Sequence, residues 1–372
     1  MNNPRIIADQ NMPLVEDYFG HLGKVKLMAG REIDRHSIEG AEILLVRSVT
    51  QVDQTLLQGS SIRFVGSATA GTDHIDLDYL KANNIQFAYA PGCNAEAVVQ
   101  YALSVFACLK PKWQQSRVGI VGCGNVGGKL YQKLCNLGVD CRVYDPFLTQ
   151  TQIPDLVSFE QVLDCDIISL HTPLTTEGEF PTHHLFDQQV LNQLKPNGLL
   201  INAGRGAVID NLALINRLKQ NDGIQVALDV WESEPQINTE LLDLVSLATP
   251  HIAGYSDEGK IRGTRMLYEA VCGFYLDHKA IQQPSNVANS NKVAINGTEK
   301  ALNQLLLESY NIVEDDQRMR HRLKQGDIGQ GFDQLRKTYP QRRENSCFRV
   351  SADTTLSRQL KILGYSTDQL SL

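Results

Sequence analysis

The stretch Val118-Gly-Ile-Val-Gly-Cys-Gly-Asn-Val-Gly127 decides the fold. A short apolar run ends in a G-x-G-x-x-G made by Gly122, Gly124 and Gly127, and a helical pattern, Lys129 to Leu137, follows it. Strand, glycine turn and helix in that order make the phosphate-binding corner of a βαβ unit. Glycines permit the tight turn and a close backbone approach, and the helix N-terminus presents amide donors and a positive dipole end to a pyrophosphate. Asp145 closes the next apolar run, Asp140-Cys-Arg-Val-Tyr144, about twenty residues on, where a carboxylate accepts hydrogen bonds from adenosine ribose hydroxyls. The same charge repels a 2′-phosphate. The stretch therefore predicts a turn of Gly122, Gly124, Asn125, Val126 and Gly127 that binds NAD rather than NADP, with Asp145 as the ribose acceptor.

Outward from this corner, apolar runs at Asp166-Ile-Ile-Ser-Leu170, Gly198-Leu-Leu-Ile-Asn202 and Ile224-Gln-Val-Ala-Leu228 alternate with helical patterns, as in a parallel sheet covered on both faces. A linking helix, Ala95 to Leu109, opens this domain after the turn Ala90-Pro-Gly-Cys-Asn94. The N-terminal third repeats the pattern, with strands expected at Arg5 to Ala8, Ala41 to Val46, Ile62 to Gly66 and Ile85 to Ala88. A helical stretch from Lys260 to Leu276 precedes a Ser-, Asn- and Gln-rich linker, Gln282 to Lys292. The expected fold is α/β, with two doubly wound Rossmann-like domains and a small α+β C-terminal domain. Residues 1–94 with 256–285 form a substrate-binding domain, 95–255 the NAD-binding domain and 286–372 the tail, where Cys347 to Val350 reads as a strand. The charged run Glu314 to Arg322 reads as a solvated helix face.

A chain of 372 residues, 42% hydrophobic and 21% charged, has the proportions of two or three folded domains of about 100–200 residues each. Its apolar runs, such as Ala102 to Leu109, fall short of the ~20 residues a membrane helix needs. The start, MNNPRIIADQ, lacks the basic and apolar regions of a signal peptide, so a cytoplasmic location is expected. Eight cysteines without a C-x-x-C pair give no disulfide framework or zinc site, and no metal is expected. A net charge of -7 gives no general attraction to nucleic acid or an anionic membrane, so neither is expected as a partner. An anionic ligand needs a local basic site.

Three further segments put charged residues at strand ends, where open α/β sheets bind ligands: Asn202-Ala-Gly-Arg-Gly206, Leu228-Asp-Val-Trp-Glu-Ser-Glu-Pro235 and Thr249-Pro-His-Ile-Ala-Gly-Tyr255. Arg205 supplies a forked, permanently charged donor suited to a carboxylate, and His251 a base that titrates near neutrality. Glu234 could hold the imidazole and raise its proton affinity. Singly, each has an ordinary alternative: a surface-turn arginine, a histidine satisfied by backbone, a solvated glutamate.

Together with Leu170-His-Thr-Pro-Leu174 and the glycine turn, this set resembles the D-isomer-specific 2-hydroxyacid dehydrogenases over residues 1 to about 285. The resemblance implies that Asp145, Thr172, Ala203, Gly204, Arg205, Asp229 and Gly254 contact NAD, with Asp229 accepting from the nicotinamide carboxamide. It implies Arg205, Glu234 and His251 as catalytic residues, and Ser48, Thr69 and Tyr255 as substrate contacts. Unaided by the resemblance, Ser48 and Thr69 read equally well as turn caps. His251 would take the hydroxyl proton as hydride leaves C2, Arg205 hold the carboxylate and Glu234 stabilise the imidazolium.

A narrower resemblance, to the branch of this family that oxidises a phosphorylated four-carbon 2-hydroxy acid on the route to pyridoxine 5′-phosphate, rests on five segments. They are Leu45-Val-Arg-Ser-Val-Thr50, Ala68-Thr-Ala-Gly-Thr-Asp-His74, Ala90-Pro-Gly-Cys-Asn94, His251-Ile-Ala-Gly-Tyr255 and Gly331-Phe-Asp-Gln-Leu-Arg-Lys-Thr-Tyr-Pro-Gln-Arg-Arg343. Arg47 is then a candidate cation for the phosphate, against an ordinary surface salt bridge. The alternatives are 3-phosphoglycerate or another D-2-hydroxy acid as substrate, and an NAD-sensing corepressor-like binding protein. The helix-rich tail does not match the strand-rich regulatory module of long phosphoglycerate dehydrogenases. The resemblance marks the tail as a dimerisation domain, and a homodimer is expected in which Leu302, Leu305, Leu306 and Ile312 bury against a symmetry mate. Arg342 and Arg343 would help hold the tail against the neighbouring subunit, near its substrate cleft or away from it, or form a solvated basic pair.

Overall fold

The computed structural model describes residues 3–276, 292–297 and 300–369. The chain divides into two compact units, Met1–Asn94 with Ser256–Asn291, and Ala95–Tyr255 with Lys292–Leu372. The first holds β1 (Arg5–Asp9), β2 (Lys24–Met28), β3 (Ile43–Val46), β4 (Phe64–Ser67) and β5 (Gln86–Tyr89), in the order β2-β1-β3-β4-β5 with every pair parallel. Alternate residues of β1 and β3 serve opposite faces. Ile6, Ala8, Ile43 and Leu45 pack with Phe19, Leu267 and Tyr268, while Ile7, Leu44 and Val46 pack with Ile38, Leu56 and Leu80. Helices on both faces make the inner strands continuously apolar. The strand β2 escaped the sequence because it is an edge: Lys24, Lys26 and Leu27 are exposed, and a lysine-studded edge also resists unwanted pairing.

The second unit holds β6 (Val118–Val121), β7 (Cys141–Tyr144), β8 (Ile167–Leu170), β9 (Leu199–Asn202), β10 (Gln225–Leu228) and β11 (Leu247–Ala248). Their order is β11-β10-β9-β8-β6-β7, again all parallel. A third, parallel sheet joins β12 (Val293–Asn296), β13 (Phe348–Ala352) and β14 (Ser366–Gln369), in that order. The architecture is α/β throughout. No described helix is long and apolar enough to cross a membrane, and all eight cysteines are free.

The tail differs from a detached domain. Leu302, Leu305, Leu306 and Ile312 are buried within the chain, in one core with Val98, Tyr101, Phe106 and Leu130. The reason lies in the Ala95–Leu109 helix, which is buried along nearly its whole length and needs cover on the side away from the sheet. Ser104 Oγ donates to Tyr310 O at 2.7 Å, and Trp113 Nε1 to Asn303 Oδ1 at 2.8 Å. Arg342 is likewise spent inside its own chain. It donates to Gln100 Oε1, Ala253 O and Ala97 O, and its guanidinium lies 3.6 Å from the centre of the Tyr310 ring. Arg343 joins the same helix through its carbonyl, which accepts from Gln100 Nε2.

The charged run is not simply solvated either. Asp315, Asp316 and Met319 are buried, because Asp316 accepts from the Ala248 amide and pairs with Arg320 at 2.8 Å. Arg320 in turn donates to the Val245 carbonyl. A paired and hydrogen-bonded charge can be buried where a lone one cannot. The expected linker 282–291 and the boundary at 285 lie outside the described residues.

Candidate active site

Each glycine of the turn after β6 has a separate reason. Gly122 sits at φ +86°, and a Cβ there would stand 2.9 Å from the His171 carbonyl carbon. At Gly127 a Cβ would fall 1.9 Å from Gly122 O, so the Asn125–Asn136 helix packs directly on the turn. At Gly124 a Cβ would meet nothing within 4 Å, so packing does not require this glycine, while close approach of a ligand does. The helix begins at Asn125, ahead of the apolar pattern at Lys129, because its first turn is spent on the glycine corner. Asp145 folds back over it, Oδ2 accepting from Cys123 N at 2.9 Å and Oδ1 from Phe147 N at 3.0 Å.

After β8, burial drives His171 down to about 4, so it is neutral; Thr172 Oγ1 is buried with no hydrogen-bond partner. A buried hydroxyl left unpaired costs about 1–3 kcal/mol unless a ligand meets it. An open glycine corner, a helix N-terminus and an orphaned hydroxyl together fit a dinucleotide.

The loop after β9 is tied by Asn202, whose Nδ2 donates to Arg205 O at 2.9 Å while its Oδ1 accepts from Gly204 N at 3.1 Å. Arg205 Nη1 donates to Gly204 O. A Cβ on Gly206 would stand 2.0 Å from the Trp231 carbonyl, so only glycine lets this loop meet the one after β10. There Asp229, 1% exposed, clamps the following loop: Oδ1 accepts from Thr249 Oγ1 at 2.6 Å and Ile252 N at 2.8 Å, Oδ2 from Ala253 N at 2.9 Å. Burial raises its carboxyl above the usual range, against the pull of His251 and these donors. Gly254 lies in the turn closed by Tyr255 N to Ile252 O at 2.8 Å.

His251 and Glu234 form a pair. His251 Nδ1 and Glu234 Oε2 are 2.7 Å apart, and Glu234 Oε1 accepts from Trp231 N at 2.8 Å. Burial alone would raise the Glu234 carboxyl, but His251, the Trp231 amide and Arg336 outweigh it and hold it below the ordinary range. With Nδ1 committed, Nε2 is the histidine's working nitrogen. Beside this pair, His184 Nε2 meets Glu232 Oε1 at 2.6 Å, anchoring the same loop from another side.

In the first unit Arg47 and Ser48 follow β3, and Thr69 follows β4. Thr69 Oγ1 donates to Gly71 O at 2.7 Å and lies 2.7 Å from Ser67 Oγ, so its proton is already engaged. Ser48 is exposed. Arg47 is half-buried. Lys260 stands near enough that burial first, and then the Arg47 charge, push its ammonium down against the opposing pull of Asp257. Sequence reasoning missed Lys260, and it also missed Tyr339 and Arg336, which lie against Tyr255. The last two stand in a tail segment that had been read only as a family marker.

A family model described as D-isomer specific 2-hydroxyacid dehydrogenase, NAD binding domain, matches residues 103–253, and a domain of unknown function matches 284–364. An erythronate-4-phosphate dehydrogenase of Cellvibrio japonicus is 44% identical over 97% of this chain and 99% of its own. Another, of Teredinibacter turnerae, is 45% identical over 98% and 99%. Among solved structures, NAD-bound 3-phosphoglycerate dehydrogenase of Entamoeba histolytica superposes with a TM-score of 0.64 at 24% identity, covering 77% of this chain and 99% of that one. For D-lactate dehydrogenase of Aquifex aeolicus the TM-score is 0.62 at 22% identity, with 74% and 97% covered. The chain belongs to the same family as these relatives, the D-isomer specific 2-hydroxyacid dehydrogenases, and is an NAD-dependent enzyme.

Proposed function

We propose that this enzyme oxidises 4-phospho-D-erythronate at C2 to (R)-3-hydroxy-2-oxo-4-phosphonooxybutanoate, a step toward pyridoxine 5′-phosphate. The observation that carries the reading is the 2.7 Å His251–Glu234 pair on an NAD-binding sheet, in a chain 44% identical to an erythronate-4-phosphate dehydrogenase over nearly its full length. His251 Nε2 takes the proton of the C2 hydroxyl. Glu234, held ionised, then faces an imidazolium at Nδ1 and stabilises it. Arg205 holds the substrate carboxylate in its fork and favours negative charge growing on the C2 oxygen.

NAD, when bound, accepts the hydride from C2. The Gly122–Gly127 corner would hold its pyrophosphate and Asp145 its ribose, with Thr172, the stretch 203–205, Asp229 and Gly254 completing the site. Because the Asp229 carboxylate already has three donors, its second task, accepting from the nicotinamide carboxamide, uses a remaining lone pair. Ser48, Thr69, Tyr255 and Arg47 contact substrate, Thr69 through a hydroxyl that must release Gly71 or act as an acceptor.

We place the reaction in the cytoplasm, in keeping with eight free thiols and a diffusible cofactor, and assign the enzyme a homodimeric state through its C-terminal segment. Supporting that surface is the outward face of the third sheet, where Ala294, Asn296 and Arg349 stay exposed.

The test is NADH absorbance with purified enzyme, NAD and one acid at a time. 4-Phospho-D-erythronate should give the highest kcat/KM. Faster turnover of 3-phosphoglycerate or of unphosphorylated D-erythronate would overturn the assignment.

A further inference from the structure

Arg336 lies on the Ile328–Lys337 helix, inside the segment that a domain of unknown function matches. The solved relatives account for 97% and 99% of their own chains but only 74% and 77% of this one, so about a quarter of this chain is additional to the fold they share. The helix is not remote from the chemistry. Phe332 and Leu335 are buried in one cluster with Trp231 and Ile237, the residues that bracket Glu234 along the chain. Gly329 abuts the side chain of Gln236, where a Cβ would come within 2.4 Å of Nε2. The tail therefore packs on the very loop that carries Glu234.

From that position the Arg336 guanidinium carbon stands 6.0 Å from the centre of the Tyr255 ring, and Tyr339 meets the same ring edge-on at 5.7 Å and 85°. Arg336 Nε is buried and has no hydrogen-bond partner among the described residues. An unpaired buried donor on a permanent cation is costly, and such groups ordinarily mark a ligand or water that completes them. Nearby groups keep the cation in place: burial alone would lower the affinity of Arg336 for its proton, but Tyr255 and Glu234 outweigh it. A guanidinium is also the donor whose fork matches phosphate geometry. In a chain with net charge -7, an anionic substrate must find its cations locally.

We infer that Arg336 is a specificity-determining residue of this enzyme, a cation brought by the C-terminal segment to Tyr255 to bind the substrate phosphate. The inference rests on the reading of the substrate as a phosphorylated 2-hydroxy acid. With the carboxylate assigned to Arg205, the phosphate is the remaining anion, and Arg336 would bind it in addition to the candidate Arg47. The domain of unknown function then supplies part of the substrate site as well as covering the Ala95–Leu109 helix.

The test uses full-length enzyme and the variants Arg336→Gln and Arg336→Lys, with 4-phospho-D-erythronate and D-erythronate as paired substrates. Arg336→Gln should raise KM for the phosphorylated acid roughly 10–100-fold, the range for one charge-assisted hydrogen bond to a buried partner. KM for D-erythronate and the Kd for NAD should stay within about threefold, and Arg336→Lys should recover part of the loss. Competitive inhibition by inorganic phosphate, read in the same variants, should weaken in parallel, and it remains readable in the lysine variant if the glutamine variant unfolds. Equal KM changes for both acids would overturn the inference. So would a fall in kcat with a shifted pH profile at unchanged KM, which would make Arg336 a positioning residue acting through Glu234. Wild-type enzyme that ignores 4-phospho-D-erythronate refutes the substrate assignment instead, independently of the variants.

Discussion

At the scale of single residues, the proposed proton transfer rests on the histidine and the glutamate 2.7 Å from it. His251→Gln keeps a side chain of similar reach but no base, so turnover should fall roughly 10²–10⁴-fold while NAD affinity, measured by titration, stays nearly intact. Near-normal turnover would reduce His251 to a structural role. Glu234 gives a pH signature as well. Its folded carboxyl is held below the ordinary value by His251, the Trp231 amide and Arg336, despite its burial. A depressed carboxyl stabilises the fold above its unfolded pKa, about 4.3, and loses that contribution as pH falls through the lower folded value. The melting-temperature advantage of wild type over Glu234→Gln should therefore be full at pH 6–7 and shrink below about pH 4.3. A constant difference down to pH 3 would show that the ion pair contributes nothing to stability.

At the scale of elements, the glycine corner and its aspartate act together. Asp145 follows β7 and accepts from the Cys123 and Phe147 amides, so it shapes the turn in addition to its proposed role at the ribose. Asp145→Ser should erode the preference for NAD over NADP by removing the charge that repels a 2′-phosphate, with some loss of affinity for both cofactors as the turn loosens. Cofactor titrations showing the wild-type preference in the variant would sink the ribose assignment.

The corner was legible in the sequence because Gly122 and Gly127 answer a local steric demand and Gly124 completes the spacing. So were the apolar strands of both large sheets, whose two buried faces leave a continuous run of Val, Ile and Leu. Two of the edge strands were not: β2 alternates lysines with apolar residues, and β11 is only Leu247–Ala248. Arg205, His251 and Glu234 were proposed from strand ends and family pattern, whereas the 2.7 Å pairing of the last two is a fact of tertiary packing. Arg336 could not be placed by sequence at all, since it comes to Tyr255 from about eighty positions further along the chain.

At the scale of the whole molecule, the tail and the NAD-binding sheet belong to one compact unit. Charge and apolar pattern suggested a detachable module with helix faces waiting for a symmetry mate, yet Leu302, Leu305, Leu306 and Ile312 already lie in the core around Tyr101 and Phe106. At roughly 1.5–3 kcal/mol for each buried aliphatic side chain, these four alone represent about 6–12 kcal/mol, as much as the entire margin of a typical domain. The proposed dimer would therefore need a different surface, and removal of the tail should damage the NAD-binding unit itself. A chain ended at residue 291 would expose the outer side of the Ala95–Leu109 helix and leave Gln100, Ser104 and Trp113 without their partners across the tail. It should aggregate, or melt well below the full chain, and bind NAD weakly or not at all. Light scattering, thermal unfolding and NAD titration of the shortened chain decide the matter. A well-folded monomer with full NAD affinity would mean that the tail is a separable dimerisation module after all, and that the shared core contributes little to holding the dinucleotide site together.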